Sequence, residues 1–354
     1  MASPLADQSQ TGLEPGVTAP DRPQIARLAS NPAFWVLIVL IALMAFFGIA
    51  TPGHAFLHYS NLLTNMLDAS ELLLLAAGMT YLLGAGQLDL SVGSNVLLSS
   101  VVASKVITAL GGTTAQISAG DYPHLALALW IGIPAAIATG IAFGLVNGLA
   151  VTKLGVNSFI VTLATMGIGL GTTYVLTNGT DVPYLPLQLQ SSFGIAKVAE
   201  IPIPVIVTLV IVGILWFTLV ATRYGLRTLA VGSSREAAER AGLPVDRQLI
   251  SLFMVMGFLA GVAAVIDISR FGTTNVAGHQ VDNLNAIAAA VIGGTSLFGG
   301  VASIGGAIIG TLIPVTLTNG LILMSLNSFY QLIAIGVILL AAVYFQERRR
   351  KKHM

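Results

Sequence analysis

The feature that most constrains this chain is a series of long, uninterrupted apolar runs. Two of them, Phe34 to Ala50 and Ile203 to Val220, contain no charged residue. A helix needs roughly 20 apolar residues to cross a bilayer, and these runs lack the polar face of a soluble core helix. Only 9% of all residues are charged, against about 25% in soluble domains. The sequence therefore predicts an all-α integral membrane protein in contact with the lipid bilayer.

Apolar segments predict about ten transmembrane helices. They fall at roughly 34–50, 60–84, 93–110, 123–150, 157–177, 202–221, 248–267, 284–299, 301–324 and 328–345. Residues 1–33 are rich in Pro, Ser, Ala and Gly and lack helical periodicity. We therefore expect a disordered tail at 1–33, a transmembrane domain at 34–345 and a basic tail at 346–354.

The distribution of positive charge predicts the orientation. With ten spans and a cytoplasmic amino terminus, all but three of the 16 Lys and Arg residues lie in the cytoplasm. The exceptions are Lys105, Lys197 and Arg270. Because cytoplasmic loops carry an excess of Lys and Arg, we expect a multi-pass protein of the cell membrane with both termini in the cytoplasm.

Composition also excludes several classes of site. A net charge of +1, with no basic stripe, argues against nucleic-acid binding. The absence of cysteine excludes disulfides and thiol chemistry. The five histidines include one pair at H-x-x-x-H spacing, His54 and His58, but without the Glu of an H-E-x-x-H motif, so we expect no metal site.

A short internal repeat points to two related halves. Asn147-Gly148-Leu149 followed by Asn157-Ser158-Phe159 recurs as Asn319-Gly320-Leu321 followed by Asn327-Ser328-Phe329. The first copy follows the fourth predicted span on the inside, and the second follows the ninth on the outside. An offset of five spans is odd, so the five-helix halves are predicted to be inverted. Transporters with such repeats place their substrate path between the halves, although Asn-Gly is also a common turn dipeptide.

Glycines recur at four-residue spacing in several predicted spans, a pattern that lets helix backbones approach closely in lipid. The residues are Gly140, Gly144 and Gly148, then the pairs Gly167/Gly171, Gly257/Gly261 and Gly306/Gly310. We interpret them as structural.

The cytoplasmic loop 222–248 contains the pattern E-A-A-x-x-x-G at 236–242. Ser234 is a suitable N-cap, and Gly242-Leu243-Pro244 is a typical helix stop. The pattern predicts a short surface helix, which is either an ordinary helical turn or a face that another protein contacts.

This pattern resembles the coupling helix of ATP-binding-cassette (ABC) importer permeases, which docks on the ATPase subunit. Segment 86–93, G-Q-L-D-L-S-V-G, is similar to the G-x-x-D-L-S-V-G signature of the ribose/arabinose/xylose-type permeases. Segment 157–163, N-S-F-I-V-T-L, is similar to their P-F-I-x-T-L, and 290–300, A-V-I-G-G-T-S-L-F-G-G, to their late glycine-rich block. The chain departs from the family at Asn157-Ser158 and at Gln87, and these departures either alter which sugar passes or have no effect.

The resemblance implies a permease subunit that moves a monosaccharide or polyol and binds no cofactor itself. Its implied partners are P-loop ATPase subunits that use ATP, a second permease chain, identical or paired, and an extracytoplasmic sugar-binding protein. The residues implied to contact the ATPase are Glu236, Ala237, Ala238 and Gly242.

Asp89 stands out because a carboxylate in a membrane helix costs about 2.5–3.5 kcal/mol on insertion scales. Gly86 predicts a helix break before it, so Asp89 either caps the third helix or contacts the sugar. We favour the cap over direct sugar contact, and the functional role we expect of Asp89 is to hold a helix break that moves during gating. The further candidates for the translocation path or gate are neutral polar residues: Gln87, Ser91, Asn147, Thr162 and Asn319.

Asp68 and Glu71 lie three residues apart on one face of the second span. They either line a polar path or pair with Lys105 on the third span, and we favour structural pairing or snorkelling over a catalytic role.

The chain contains no G-x-x-x-x-G-K-[ST], H-E-x-x-H or G-x-S-x-G motif, so neither an ATPase nor one of these enzyme classes is predicted. The alternative function is an ion-coupled secondary transporter using Asp68, Glu71 or Asp89. It accounts for the acidic residues and the repeat, but not for the E-A-A-x-x-x-G loop.

Overall fold

Helices dominate the computed structural model, which describes residues 32–327 and 329–353. In chain order they are α1 Pro32–Ala50, α2 Tyr59–Gly84, α3 Val92–Gly111, α4 Thr114–Ser118, α5 Leu125–Lys153, α6 Ser158–Thr177, α7 Leu187–Leu189, α8 Ile203–Ala221, α9 Arg223–Ser233, α10 Arg235–Arg240, α11 Val245–Phe271, α12 Asp282–Ile292, α13 Ile304–Leu323 and α14 Phe329–His353. A 3-10 turn covers Pro52–Leu57 and a π-helical turn covers Gln190–Gly194. Strands within the described ranges form one antiparallel pair, β1 Lys197–Val198 and β2 Ile201–Pro202. The all-α prediction is confirmed.

Seven described helices are long and apolar enough to cross a membrane: α2, α3, α5, α6, α8, α11 and α13. The apolar stretches of α1, α12 and α14 are shorter. α12 has 11 residues and is therefore about 16 Å long, half the thickness of the hydrocarbon core. The predicted span at 284–299 is instead this half-length helix followed by a glycine-rich connection. α12 ends at Ile292, and Gly294 beyond it has φ +96°, a conformation that favours glycine.

Both predicted tails differ from the structure or lie outside it. Of the tail predicted at 1–33, residues 1–31 lie outside the described chain, and α1 begins at Pro32. The basic segment predicted as a separate tail at 346–354 continues α14 as far as His353.

Glycine contacts join α5 to α11. A Cβ at Gly140 would lie 2.2 Å from the Gly257 carbonyl oxygen, and one at Gly257 would lie 2.1 Å from the Gly140 carbonyl oxygen. Gly144 similarly contacts the Phe253 carbonyl. The expected close approach of helix backbones is confirmed here. It does not occur within the described chain at Gly167 and Gly171, which have no atom within 4 Å of a Cβ position.

The two repeat copies adopt the same local structure. Asn147 lies inside α5 and Asn319 inside α13, so the prediction that the Asn-Gly pairs follow their helices is wrong. The helical backbone satisfies its own hydrogen bonds there, and each Asn side chain bonds a neighbouring element. Ten residues after Asn147, Asn157 caps α6 by accepting from the Phe159 N–H at 2.9 Å. Eight residues after Asn319, Asn327 accepts from the Phe329 N–H at 2.9 Å before α14.

Two irregular connections interlock the bundle. Segment 85–91 joins α2 to α3, and segment 272–281 joins α11 to α12. A Cβ at Gly93, in the first turn of α3, would lie 2.0 Å from the His279 carbonyl oxygen. The start of α3 therefore packs directly on the second connection. At the end of α2, directly before segment 85–91, the Gly300 N–H donates to the Gly84 carbonyl at 3.0 Å.

Candidate translocation and coupling sites

The Asp89 carboxylate organises the connection before α3. Asp89 is 2% exposed, and its Oδ1 accepts from the Ser91 N–H at 2.8 Å and from the Ser91 hydroxyl at 2.5 Å. Asn147 Nδ2 in turn donates to Ser91 Oγ at 2.8 Å. Ser91 occupies the N-cap position of α3, but its hydroxyl makes no capping bond to the helix. A buried chain of three hydrogen-bonded side chains thus fixes the helix break, with α5 as its anchor.

α6 holds the same connection from a second side. Thr162 Oγ1 donates to the Ser158 carbonyl at 2.7 Å and lies 3.4 Å from the Leu88 carbonyl. The Leu88 N–H donates to Ser158 Oγ at 3.2 Å. The Gln87 N–H turns back to the Leu82 carbonyl at 2.8 Å. Five of the six predicted path or gate residues therefore lie around segment 85–91. They are Gln87, Asp89, Ser91, Asn147 and Thr162.

Asn319 is not part of this cluster. Its amide forms a reciprocal pair with the Asn61 amide of α2, with Nδ2–Oδ1 distances of 2.8 and 2.9 Å. Sequence reasoning grouped it with the others on polarity alone, which carries no information about which helix a residue faces.

Asp68 and Glu71 are paired, but with a different cation from the one predicted. Arg270 Nη2 lies 2.6 Å from Asp68 Oδ1, and Arg270 Nη1 lies 2.9 Å from Glu71 Oε1. The predicted partner Lys105 is exposed on α3. The prediction failed because α11 continues to Phe271, beyond the predicted end at 267, and this extra turn brings Arg270 against α2.

His279 lies between two further carboxylates. Its Nδ1 is 2.7 Å from Asp282 Oδ2, and its Nε2 is 3.5 Å from Asp267 Oδ2. Burial alone would lower the pKa of His279, but the charges of Asp282 and Asp267 outweigh that effect and raise the pKa well above 6.5. Sequence reasoning missed these residues, although Asp267 is a carboxylate inside an apolar run, the signal that singled out Asp89.

These charged groups surround a cavity of about 560 Å³ bounded by α2, α11, α12 and α13. Among the described residues, no group of three or more His, Asp or Glu side chains is arranged to hold a metal ion. The cavity therefore presents acceptor oxygens without a metal-binding geometry.

The E-A-A-x-x-x-G segment forms α10 as the sequence predicted. Ser234 Oγ accepts from the Ala237 N–H at 3.2 Å, and Gly242 ends the turn with φ +76°. Glu236 is exposed, and its nearest cation is Arg240 at 3.9 Å. Ala237 is also exposed, whereas Ala238 is 4% exposed and belongs to the same buried apolar cluster as Val231 and Val245. Ala238 therefore lies on the buried side of α10 in this conformation, and its contact with a partner stays a prediction.

Salt bridges tie α10 to the ends of α5 and α11. Arg235 pairs with Glu239 at 2.9 Å and with Asp246 at 3.4 Å, and Asp246 also pairs with Lys153 at 2.8 Å. All of these side chains are partly exposed, so each pair contributes little alone. Together they hold α10 at a fixed angle on the helix ends.

A backbone contact links the α9–α10 corner to the helix breaks. A Cβ at Gly232, near the end of α9, would lie 1.9 Å from the Gly84 carbonyl oxygen and 2.8 Å from the Gly300 N. Only a glycine fits at such a distance. A shift of α9 must therefore move the end of α2 and the 293–303 connection.

Comparison with known proteins places these features in a family. The family described as the branched-chain amino acid transport system / permease component matches residues 61–343. The ribose import permease protein RbsC of Bacillus subtilis is 35% identical over 316 residues, 89% of this chain and 91% of that protein.

Two further relatives cover similar shares. The L-arabinose ABC transporter permease protein AraH of Azospirillum brasilense is 33% identical over 317 residues, 90% of this chain and 88% of that protein. The D-allose transport system permease protein AlsC of Escherichia coli is 32% identical over 310 residues, 88% and 89%. No solved structure matches the chain.

Proposed function

The chain belongs to the branched-chain amino acid transport system / permease component family, and from that premise we propose that it is the membrane-spanning permease subunit of an ABC importer for a monosaccharide or related polyol. The observation that carries the proposal is the match, over about nine-tenths of the chain, to permeases named for ribose, allose and L-arabinose. Such a subunit is not itself an enzyme, because a partner hydrolyses the ATP.

The proposed partners follow from this role. P-loop ATPase subunits bind on the cytoplasmic side, a second permease chain completes the pore, and an extracytoplasmic sugar-binding protein delivers the cargo. The permease domain is 34–345, and the chain itself binds no cofactor.

The proposed topology has ten membrane segments in two inverted five-helix halves. α2, α3, α5 and α6 correspond to α11, α12, α13 and α14. The matching Asn-capped starts of α6 and α14 support this pairing, as does the packing of α3 on α5 and of α12 on α13. α12 and the 293–303 connection together form the eighth segment. Both termini and loop 222–248 lie in the cytoplasm, in keeping with the excess of positive charge there.

The proposed coupling element is α10, with Glu236, Ala237 and Gly242 as its ATPase-facing residues. Closure of the ATPase dimer would push on α10 and rotate α9. The tight contact of Gly232 with Gly84 and Gly300 then transmits the motion to α2 and the 293–303 connection.

The proposed gate is segment 85–91. The hydrogen bonds from Ser91 to Asp89 and from Asn147 to Ser91 define one rigid arrangement of the break before α3. Motion of the end of α2 would exchange these bonds for another set. This gives Asp89 a positioning role, because its Oδ1 holds Ser91 through two hydrogen bonds.

The two energy sources are distinguished by inhibitors of sugar uptake in membrane vesicles that contain the whole complex. Vanadate, which blocks the ABC ATPase cycle, is expected to abolish uptake, whereas an uncoupler at constant ATP leaves it intact. Loss of uptake with the uncoupler alone would favour a carrier using Asp68, Glu71 or Asp89.

A further inference from the structure

The 178–202 connection, between α6 and α8, is hydrogen-bonded to the 272–281 connection. The Val182 N–H donates to Thr274 Oγ1 at 2.8 Å, and the Thr274 N–H donates back to the Val182 carbonyl at 3.3 Å. The Thr273 hydroxyl donates to the same carbonyl at 3.1 Å. Thr274 has no exposed surface, so water does not compete for these bonds. The two connections are therefore joined directly, although they lie about 90 positions apart in the chain.

Two more bonds extend this junction. The Val276 N–H donates to Asp181 Oδ1 at 2.6 Å, and the Leu185 N–H donates to the Gly272 carbonyl at 3.0 Å. The bonds thus begin at the first residue after α11 and continue into the middle of the 272–281 connection. This part of the connection cannot shift without the 178–202 connection unless several hydrogen bonds break.

The end of α11 belongs to the same junction. Gln190 Nε2, in the π-helical turn, donates to the Arg270 carbonyl at 2.6 Å. A Cβ at Gly194 would lie 2.0 Å from the Ser269 carbonyl oxygen, so the two backbones are in direct contact there. Residues 181–194 and 269–276 together are called the outer unit below.

The backbone at Tyr184 shows how firmly the outer unit is fixed. Tyr184 has φ +61°, which is uncommon for a bulky residue and persists only where the surrounding structure imposes it. Its carbonyl accepts from the Tyr122 hydroxyl, and the next residue is bonded to Gly272. The side chain of Tyr184 is nevertheless 59% exposed. The outer unit therefore keeps one shape while part of it is open to a partner.

The other end of the 272–281 connection reaches α3. A Cβ at Gly93 would lie 2.0 Å from the His279 carbonyl oxygen, and His279 Nδ1 is 2.7 Å from Asp282 Oδ2. His279 is three positions after Val276, and the Gly278 N–H donates to the Asn275 carbonyl at 2.9 Å between them. A continuous set of contacts therefore leads from the 178–202 connection to the first turn of α3, directly after segment 85–91.

We propose that the outer unit is a conformational link through which the extracytoplasmic binding protein acts on the gate, and that Asp181 and Thr274 are its positioning residues. The inference rests on the proposed function and adds to it how the binding protein regulates the cycle. In the proposed topology the ends of α6 and α11 lie outside, so the outer unit is on the side of the binding protein.

The link works by displacement of packed elements. Docking that displaces the 178–202 connection moves residues 272–276 with it, and the contact of His279 with Gly93 then displaces the start of α3. Chains of hydrogen bonds and packed backbones can carry coupling between distant sites in this way. The binding protein and the ATPase, which acts through Gly232, thus bias the same segment 85–91 from opposite sides.

The link is tested in proteoliposomes that contain the whole complex, by ATP hydrolysis with and without the binding protein that supports uptake by the unsubstituted chain. That protein is loaded with whichever of D-ribose, D-allose and L-arabinose the unsubstituted chain takes up. Thr274→Val keeps the side-chain shape but removes the acceptor for the Val182 N–H. We expect stimulation by the binding protein to fall about fivefold, as for the loss of one hydrogen bond, with basal hydrolysis unchanged. Thr274→Ser keeps the acceptor and should restore stimulation.

A second pair of variants tests the link at an exposed position. Asp181→Ala removes the acceptor for the Val276 N–H, whereas Asp181→Asn keeps an Oδ1 acceptor. Because Asp181 is exposed, this pair remains informative if Thr274→Val fails to assemble. Stimulation should fall in Asp181→Ala and be retained in Asp181→Asn. Thr172→Val is the control, since that exposed hydroxyl bonds only within α6, and it should leave stimulation unchanged.

Two outcomes would overturn the link. One is full stimulation in both Thr274→Val and Asp181→Ala. The other is an equal loss of basal and stimulated hydrolysis, which would give these residues a structural role alone. Both leave the proposed function standing, because the unsubstituted complex is still stimulated. An unsubstituted complex that shows neither stimulation nor vanadate-sensitive uptake would contradict the proposed function itself.

Discussion

Arg270 pairs with two carboxylates of α2, the partly exposed Asp68 and the more deeply buried Glu71. Its side chain is 8% exposed, and Glu71 is 17% exposed. Charges in such surroundings are stable only while they are paired, since the loss of one partner leaves the other buried and uncompensated. The pair therefore explains how an apolar helix tolerates Asp68 and Glu71.

Arg270→Met tests this pairing. Met keeps much of the side-chain volume but removes the charge, so the variant should lose about 3 kcal/mol of stability and melt at a lower temperature in detergent. Lys105→Met is the control, because Lys105 is exposed and the change should stay within about 0.5 kcal/mol. Equal losses in the two variants would mean that the carboxylates are not stabilised by Arg270.

Glu236 is in the opposite situation, because its exposed charge contributes little to the stability of the permease itself. Its side chain is 85% exposed, so Glu236→Lys should leave the melting temperature of the isolated subunit almost unchanged. We expect the same variant to uncouple ATP hydrolysis from sugar uptake, measured together in proteoliposomes. Glu236→Gln separates the loss of charge from its reversal. Wild-type uptake by Glu236→Lys would remove α10 from the coupling mechanism.

At the scale of helices, the apolar runs were sufficient to locate most membrane segments. Hydropathy measures how apolar a stretch is, however, and not where its hydrogen bonding changes. It therefore merged α12 with the glycine-rich connection after Ile292 and stopped α11 before Arg270.

The candidate sites were predicted unevenly for a related reason. α10 and its caps depend on neighbouring residues, so Ser234 and Gly242 could be assigned from local sequence. Arg270, the partner of Asp68, is about 200 positions away in the chain, so a local sequence pattern cannot predict the pair. The burial of Ala238 likewise depends on tertiary packing, in the apolar cluster that also contains Val231 and Val245.

The crossing of α5 and α11 depends on glycine at the contact. Gly140→Ala puts a methyl group 2.2 Å from the Gly257 carbonyl oxygen, so the helices must separate, and we expect a loss of about 1–3 kcal/mol in thermal unfolding. Gly167→Ala on α6 is the matched control, since nothing lies within 4 Å of its Cβ position and alanine favours the helix by up to about 1 kcal/mol. An undisturbed Gly140→Ala would show that the two backbones are not in contact.

At the scale of the whole molecule, the two proposed halves meet through backbone contacts. Gly93 of α3 packs on His279 in the 272–281 connection, and the Gly84 carbonyl at the end of α2 accepts from the Gly300 N–H in the 293–303 connection. Backbones in such close contact cannot shift independently. Motion of α9 and α10 is therefore expected to displace segment 85–91 and the 272–281 connection together. This arrangement suits a transporter that alternates between two rigid states.

The proposed orientation can be tested with single cysteines in this cysteine-free chain. In right-side-out vesicles, an impermeant maleimide should label Asp121→Cys, between α4 and α5, without permeabilisation. Arg247→Cys, in the first turn of α11, should react only after the membrane is opened. Both residues are exposed in the structure, so burial does not confuse the result. The reverse pattern would place loop 222–248 outside the cell.

The central claim, that this chain works as the permease of an ABC importer, is tested most directly by purifying it with its partners. The tagged chain is isolated from its native membrane in mild detergent, its partners are identified by mass spectrometry, and Glu236→Lys is processed in parallel. We predict that a P-loop ATPase co-purifies with the unsubstituted chain and is depleted from the variant. A chain that arrives without an ATPase in several detergents and after cross-linking would contradict the account.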